Sequence, residues 1–317
     1  HIFGMRQKSH LLLWVPTSHP YYKAGGLFES EDAKKFSKII LFSSWEMVPR
    51  MVSVMMSYYS ELYTLGALKN RGSKIQYTSH RKKRYGEDRL RKDGLLEYPC
   101  QILASLYSPE YYYGKDLAII KKDIKTKISN LLAINEQISS LPQRARGNAK
   151  HILSIMQLLD GVPLESIDDL YVPANTLDVL TDITIASPAV CAYRQSQDIE
   201  DSKKVAKAIV SIFNKPESAA IIDSIYNKKS DEDYYESVLD YCVNGNLQAV
   251  LDEYAHMLNS NCIGNVVAES IIDTSHLTID TSGSIGDDNK KQTMRCHFAI
   301  PFIDKTITDK SVARTTN

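Results

Sequence analysis

Three groups of residues in this chain have the types and spacing to do chemistry. The first is the turn Ser43-Ser44-Trp45, which follows the apolar run Lys38-Ile39-Ile40-Leu41-Phe42. Hydroxyls and free backbone N–H groups both donate at a helix start, so a Ser-rich turn there suits a phosphate. Its bland reading is a helix cap formed by Ser44. The second group is the stretch 69–92, with ten Lys or Arg against Glu87 and Asp88, a net charge of +8. Its centre, His80-Arg81-Lys82-Lys83-Arg84-Tyr85, mixes cations with an aromatic ring. Cations on an extended scaffold contact phosphates, and a tyrosine stacks on a base. The bland reading is a solvated loop balanced by acidic neighbours such as Asp231-Glu232-Asp233. The third group is Asp252, Glu253 and His256. Asp252 and His256 lie four apart on a predicted helix and share a face, as metal ligands can. No second His or Cys completes a ligand set, so a surface pair or a packed histidine is the preferred reading.

The elements that must position these residues follow from periodicity. Residues 38–42 form an unbroken apolar run, as in a strand buried on both faces of a parallel sheet. Val48, Met51, Val52, Met55, Met56, Tyr59 and Leu62 then recur at three and four, one helical face, and Gly66 ends it. The segment 38–66 thus predicts a strand, a turn and a helix, half of a βαβ unit. Residues 115–260 read as mostly helical, with helices over 115–139, 147–160, from Pro188 onward, 203–213, 216–226, 233–243 and 246–258. Ser187-Pro188 predicts a capped start with proline in the first turn. Residues 280–292 read as an exposed loop. Cys296, Phe298, Ile300 and Phe302 alternate with Arg295, His297, Ala299 and Pro301, which predicts a second strand. Strand and helix, a long helical block, then another strand imply a helical insertion in an α/β domain.

Composition bounds the function classes. The chain has 317 residues, 43% hydrophobic and 24% charged, which suits a globular protein of two domains or one with a large insertion. No run approaches the roughly 18 apolar residues of a membrane span. Lys plus Arg and Asp plus Glu are both 38, so the net charge is zero and only local patches can attract a polyanion. Five cysteines, at 100, 191, 242, 262 and 296, form no CxxC pair. They predict reduced thiols in a cytoplasmic protein. Cys191 and Cys242 lie in apolar helical surroundings and are expected in the core. The chain opens with His1 and lacks a signal-peptide layout, which suggests processing or a piece of a longer protein.

The run Lys38 to Trp45, with Met47-Val48-Pro49 after it, resembles motif IV of superfamily 2 helicases, most closely the Swi/Snf-like branch. Further phrases resemble bacterial helicase-related proteins with a long insertion after motif IV, some tied to defence against foreign DNA. They are Trp14-Val15-Pro16 with Pro20-Tyr21-Tyr22, then Ser187-Pro188-Ala189-Val190-Cys191-Ala192, the run Gly245 to Tyr254, and Met294-Arg295-Cys296-His297-Phe298-Ala299. The resemblance implies an α/β fold: a partial RecA-like parallel-sheet lobe with a large, mainly α-helical insertion. Residues 1–66 would hold the turn-rich start and the beginning of the second lobe, 67–293 the insertion with its basic stretch, and 294–317 the return to the lobe. It implies an internal segment of an ATP-dependent DNA helicase or translocase, with ATP and Mg serving the intact protein. Neither a Gly-x-x-x-x-Gly-Lys phosphate loop nor an Asp-Glu-x-His box is present. The segment alone is therefore expected to bind no cofactor and to hydrolyse no ATP. Of the family's site residues only Ser43, Ser44 and Trp45 carry over, near the nucleic-acid backbone.

On this reading Arg81, Lys82, Lys83 and Arg84 track DNA, and the helical insertion can dock protein partners. The alternative is a non-enzymatic helical interaction module in which the basic stretch is only a solvated surface. A metal-dependent nuclease finds no clustered carboxylate signature.

Overall fold

The computed structural model describes residues 9–17, 19–34, 36, 45, 47–48, 51–56, 58–59, 63, 90, 94–145, 148–164, 169–226 and 234–257, with the backbone alone at 9, 32, 34, 216, 217 and 254–257. These residues are mostly helical. After a helical turn α1 (Glu31–Lys34) come α2 (Gln101–Leu106), α3 (Pro109–Tyr112), α4 (Leu117–Ile134), α5 (Glu136–Ser139), α6 (Ala149–Leu159), α7 (Thr176–Ala186), α8 (Pro188–Ser196), α9 (Ile199–Phe213), α10 (Pro216–Tyr226), α11 (Tyr234–Asn244) and α12 (Leu247–Met257). A short parallel pair, β1 (Gln143–Arg144) and β2 (Val172–Pro173), aligns Gln143 with Val172 and Arg144 with Pro173. The expected strands at 38–42 and 294–303 lie outside the described residues, as does the loop 280–292. The parallel pair that is present comes from neither.

Local chemistry sets the helix boundaries. Asp116 accepts from the Ala118 N–H at the start of α4, and Asn135 accepts from Gln137 and Ile138 at the start of α5. That Asn135 cap divides the single helix expected over 115–139 into two. The face read from the sequence is buried at Ile120, Ile124, Ile128 and Ile138, while Ile134, at the break, is exposed. Asp198 caps α9 through the Asp201 N–H, so this helix starts four residues before the expected 203. Ser187-Pro188 opens α8 as expected, but the Ser187 hydroxyl makes no cap bond. Asp160 caps a helix remote in sequence: its carboxylate accepts from the Gln101 and Ile102 N–H groups at the start of α2.

Helix α7 has no counterpart in the periodicity reading. It buries Thr176, Val179, Leu180, Thr181, Ile183, Thr184, Ile185 and Ala186, so it has no single apolar stripe. Its buried threonines remain satisfied because Thr181 and Thr184 donate to the carbonyls of Leu177 and Leu180 at 2.6 and 2.7 Å.

The core is shared by segments distant in sequence. Leu12, Trp14, Tyr22 and Phe28 belong to one hydrophobic cluster with Phe213, Tyr241 and Leu247. The described part of 9–36 therefore packs into the helical body. Leu90, where the description resumes, is buried and donates its N–H to Asn214 Oδ1. Residues 47–48, 51–56, 58–59 and 63 are helical, in agreement with the periodicity. Their apolar face is not buried, however: Val48, Met51, Met55 and Tyr59 are exposed.

Candidate functional site

The best-defined polar constellation lies where the N-terminal segment meets α8 and α12. Trp14 inserts between Phe28, stacked at 5.6 Å, and Tyr241, edge-on at 4.9 Å. Its indole N–H donates to the Gly245 carbonyl at 3.0 Å. The α11–α12 connection has to come this close, because a Cβ on Gly245 would stand 2.5 Å from Trp14 Cζ2 and 2.8 Å from Phe28 Cζ. Asn246 follows in the left-handed region, at φ 54°, which an asparagine tolerates. There its side-chain amide donates to the Tyr22 carbonyl at 3.0 Å. The Tyr22 hydroxyl donates to Val243 O at 2.7 Å, and the Gly25 N–H to Asn244 O at 3.1 Å. An irregular segment thus satisfies its backbone on the end of α11.

One turn along α12, Asp252 collects donors from three elements. The Tyr21 hydroxyl donates to Oδ2 at 2.8 Å. Gln248, on the same helix, donates from Nε2 at 3.1 Å, and Gln195 of α8 donates to Oδ1. Burial, followed by the Asp252 charge, pushes the Tyr21 pKa well above the phenol range. Gln248 turns its carbonyl oxygen to Arg194, which donates at 2.8 Å.

Arg194 is the centre of the constellation. Its guanidinium donates from Nε to Ala104 O at 3.1 Å, and to the Thr184 and Ile185 carbonyls. These carbonyls end α2 and α7, so the cation satisfies helix C-termini and meets their negative dipole ends. The ring of Tyr107 lies 4.9 Å from the Arg194 Cζ. Arg194 is half-buried as a residue, and the guanidinium is its enclosed end. Burial pulls its pKa down, while the neighbouring Cys191 and Tyr107 act to raise it. The Tyr107 hydroxyl is buried without a hydrogen-bond partner among the described residues. Tyr107 in turn stacks on Tyr112, with centroids 5.5 Å apart and planes 7° from parallel.

Chemically this is a closed network that joins four stretches of chain. It holds no paired acid and base aimed at open space and no activated nucleophile. Cys191 and Cys242 are fully buried, as expected, and burial pushes the Cys191 thiol up to about 12. Cys100 is buried as well. Asp252 accepts from Tyr21, Gln195 and Gln248. Among the described residues no group of three or more His, Cys, Asp or Glu could hold a metal ion. Glu253 is half-buried on the same helix, and the His256 side chain lies outside the description.

Of the predicted nucleic-acid contacts, Ser43, Ser44, Arg81, Lys82, Lys83 and Arg84 lie outside the described residues, and Trp45 is 71% exposed. Arg194 and Tyr107 were not singled out by sequence. Arg194 stands two residues past the phrase Ser187–Ala192, in the last turn of α8, where a cation suits the helix dipole. No helix among the described residues is long and apolar enough to cross a membrane. The chain matches no protein-family model, no curated protein and no solved structure.

Proposed function

We propose that the chain is part of an ATP-dependent DNA helicase or translocase of the Swi/Snf-like superfamily 2 branch. The second RecA-like lobe starts at 38–66, and the helical body and the basic stretch serve its hold on DNA. A role in defence against foreign DNA follows from the resemblance alone. One observation carries the reading. Trp14-Val15-Pro16, Pro20-Tyr21-Tyr22, Ser187–Ala192 and Gly245–Tyr254 suggest the family from scattered positions, and they meet in space. Trp14 bonds Gly245, Tyr22 bonds Asn246, Tyr21 bonds Asp252, and Gln248 Nε2 reaches Cys191 O at 3.4 Å. This meeting is what a shared structural unit would give, and it supports the reading to that extent.

ATP and Mg belong to the intact motor, and among the described residues no group of three or more His, Cys, Asp or Glu could hold the metal. The sequence lacks the phosphate loop. The carboxylates of Asp160 and Asp252 are taken up by N–H and O–H donors. No hydrolytic step is assigned to this chain. Its part is to hold the phosphate backbone through Ser43, Ser44 and Trp45 and through Arg81 to Arg84, while the intact motor opens and closes its cleft.

Fluorescence anisotropy on single- and double-stranded oligonucleotides across a salt series tests the proposal. Binding should weaken with salt, and the R81A/K82A/K83A/R84A variant should lower the log–log slope by about 3. An unchanged slope removes the basic stretch from the interface. Absence of binding at low salt favours the second reading, a helical protein-docking module. That reading draws on the exposed apolar side chains of Trp45, Met47, Met51, Met55 and Tyr58.

A further inference from the structure

Residues 137–159 contain Arg144, Arg146 and Lys150 and no Asp or Glu. The fold fixes part of this stretch beside an aromatic ring. The Ala174 N–H donates to Arg144 O at 2.9 Å and the Val172 N–H to Pro142 O at 2.9 Å, which locks β1 against β2. That parallel register sets Tyr171, just ahead of β2, beside Arg144, whose Cζ lies 4.6 Å from the ring centroid. From the first turn of α6, His151 approaches the same ring with centroids 3.8 Å apart. Lys150 is its exposed neighbour.

We propose that Arg144 and Lys150, with Tyr171 as the platform, form a second nucleic-acid contact that binds phosphodiester oxygens on the helical body. The proposal rests on the nucleic-acid reading above and extends it to a surface that the motif resemblance does not touch. The guanidinium lies over the tyrosine ring, and no side-chain hydrogen bond among the described residues takes up its N–H fork, which stays free to donate. A carboxylate partner would have used that fork and cancelled the charge. Among the described residues neither Arg144 nor Lys150 has one. Both side chains are exposed, so the cations are oriented without being neutralised.

The aromatic pair favours a nucleotide over an acidic peptide. A nucleotide brings a planar base next to its phosphate, whereas a glutamate brings charge alone. Burial and the Arg144 charge both lower the His151 pKa, with Asp169 opposing. Both favour the neutral imidazole, which acts as an aromatic neighbour rather than as a third cation.

The test compares wild type, R144A/K150A and R81A/K82A/K83A/R84A, using a labelled oligo-dT and a labelled poly-glutamate peptide. Circular dichroism and thermal midpoints check that each variant folds. R144A/K150A should weaken oligo-dT binding about tenfold at moderate salt and reduce the log–log slope by about 1.5. R144K should recover the slope in part and the affinity less, since it keeps the charge but loses the fork. If wild type binds oligo-dT and R144A/K150A binds it with the same affinity and slope, this site is overturned while the nucleic-acid reading stands. If wild type binds no oligonucleotide, both fall. Loss of poly-glutamate binding with oligo-dT binding intact would instead make the surface a docking site for an acidic peptide and overturn the proposal.

Discussion

Two tyrosine pairs on helices meet opposite fates in this molecule. Tyr234-Tyr235 opens α11 and is 2% and 6% exposed, with the Tyr234 hydroxyl donating to Phe213 O at 2.8 Å. Tyr58-Tyr59 lies in the helical run after residue 51 and is 60% and 42% exposed. Around it Met47, Met51, Val54, Met55 and Tyr58 recur at three and four, yet all five stay exposed. Both stretches have an apolar helical pattern. The difference is the cover. Helix α11 lies against α7, α10 and the turn Gly26–Glu29, the last of which is over two hundred residues away. Amphipathicity predicts a helix and a face, but it does not predict that the same chain supplies the partner.

The largest expected effect tests this contrast directly. Trp14→Ala removes a ring that is 2% exposed, three ring contacts and the bond to Gly245. It should cost about 3–5 kcal/mol in urea denaturation. The double variant M51A/M55A removes side chains that are 53% and 50% exposed, and should cost less than about 1 kcal/mol. A methionine effect as large as that of Trp14 would mean that the helix is covered in solution, and the contrast would be lost.

Next comes the network at Asp252. Asp252→Ala leaves the Tyr21 hydroxyl and the Gln195 amide without this acceptor, and Gln248 Nε2 with only its long bond to Cys191 O, at an expected cost of about 2–3 kcal/mol. Tyr21→Phe removes one donor and should cost about 1 kcal/mol. If Y21F matched D252A, the tyrosine would be the main tie and the two glutamines incidental. Chemical denaturation of the two single variants and their double separates these cases.

Sequence reading reached some of this and not the rest, for physical reasons. Helices α4, α10, α11 and α12 were legible because each has a recurrent apolar face and is bounded by a turn or by proline. Helix α7 was not, since burial on several sides erases the stripe and its threonines are weak helix formers. The buried state of Cys191 and Cys242 followed from their apolar neighbours. Asp252 was noticed for its spacing to His256, but its partners Tyr21 and Gln195 come from other segments, and no spacing rule links them. Arg194 looks like an ordinary surface cation until the ends of α2 and α7 are placed around it. The exposure of Met47, Met51, Met55 and Tyr58 was illegible for the converse reason: a pattern records the face and says nothing of its cover.

A finer contrast comes from helices α4 and α7, which two ion pairs join among the described residues. Lys121 of α4 meets Asp182 of α7 at 2.7 Å, with side chains 34% and 22% exposed; Lys125 meets Asp178 at 2.5 Å, with side chains 45% and 70% exposed. The spacing is similar, and solvent sets the difference. Lys125→Ala should change stability by less than about 0.5 kcal/mol, because water replaces the partner. Lys121→Ala strands a carboxylate that burial already penalises and should cost about 1–2 kcal/mol, less than breaking a fully buried pair. Burial raises the Asp182 pKa although Lys121 acts to lower it. A carboxyl whose folded pKa is raised binds more protons folded than unfolded, so its share of stability grows as pH falls through the folded value. Wild type should therefore gain on D182N as the buffer moves from pH 7 toward the ordinary aspartate range. Urea titrations of both proteins at several pH values would show it. A gap moving in D182N's favour on acidification would mean that the Lys121 charge outweighs burial, and that this pair is as wet as its neighbour one turn away.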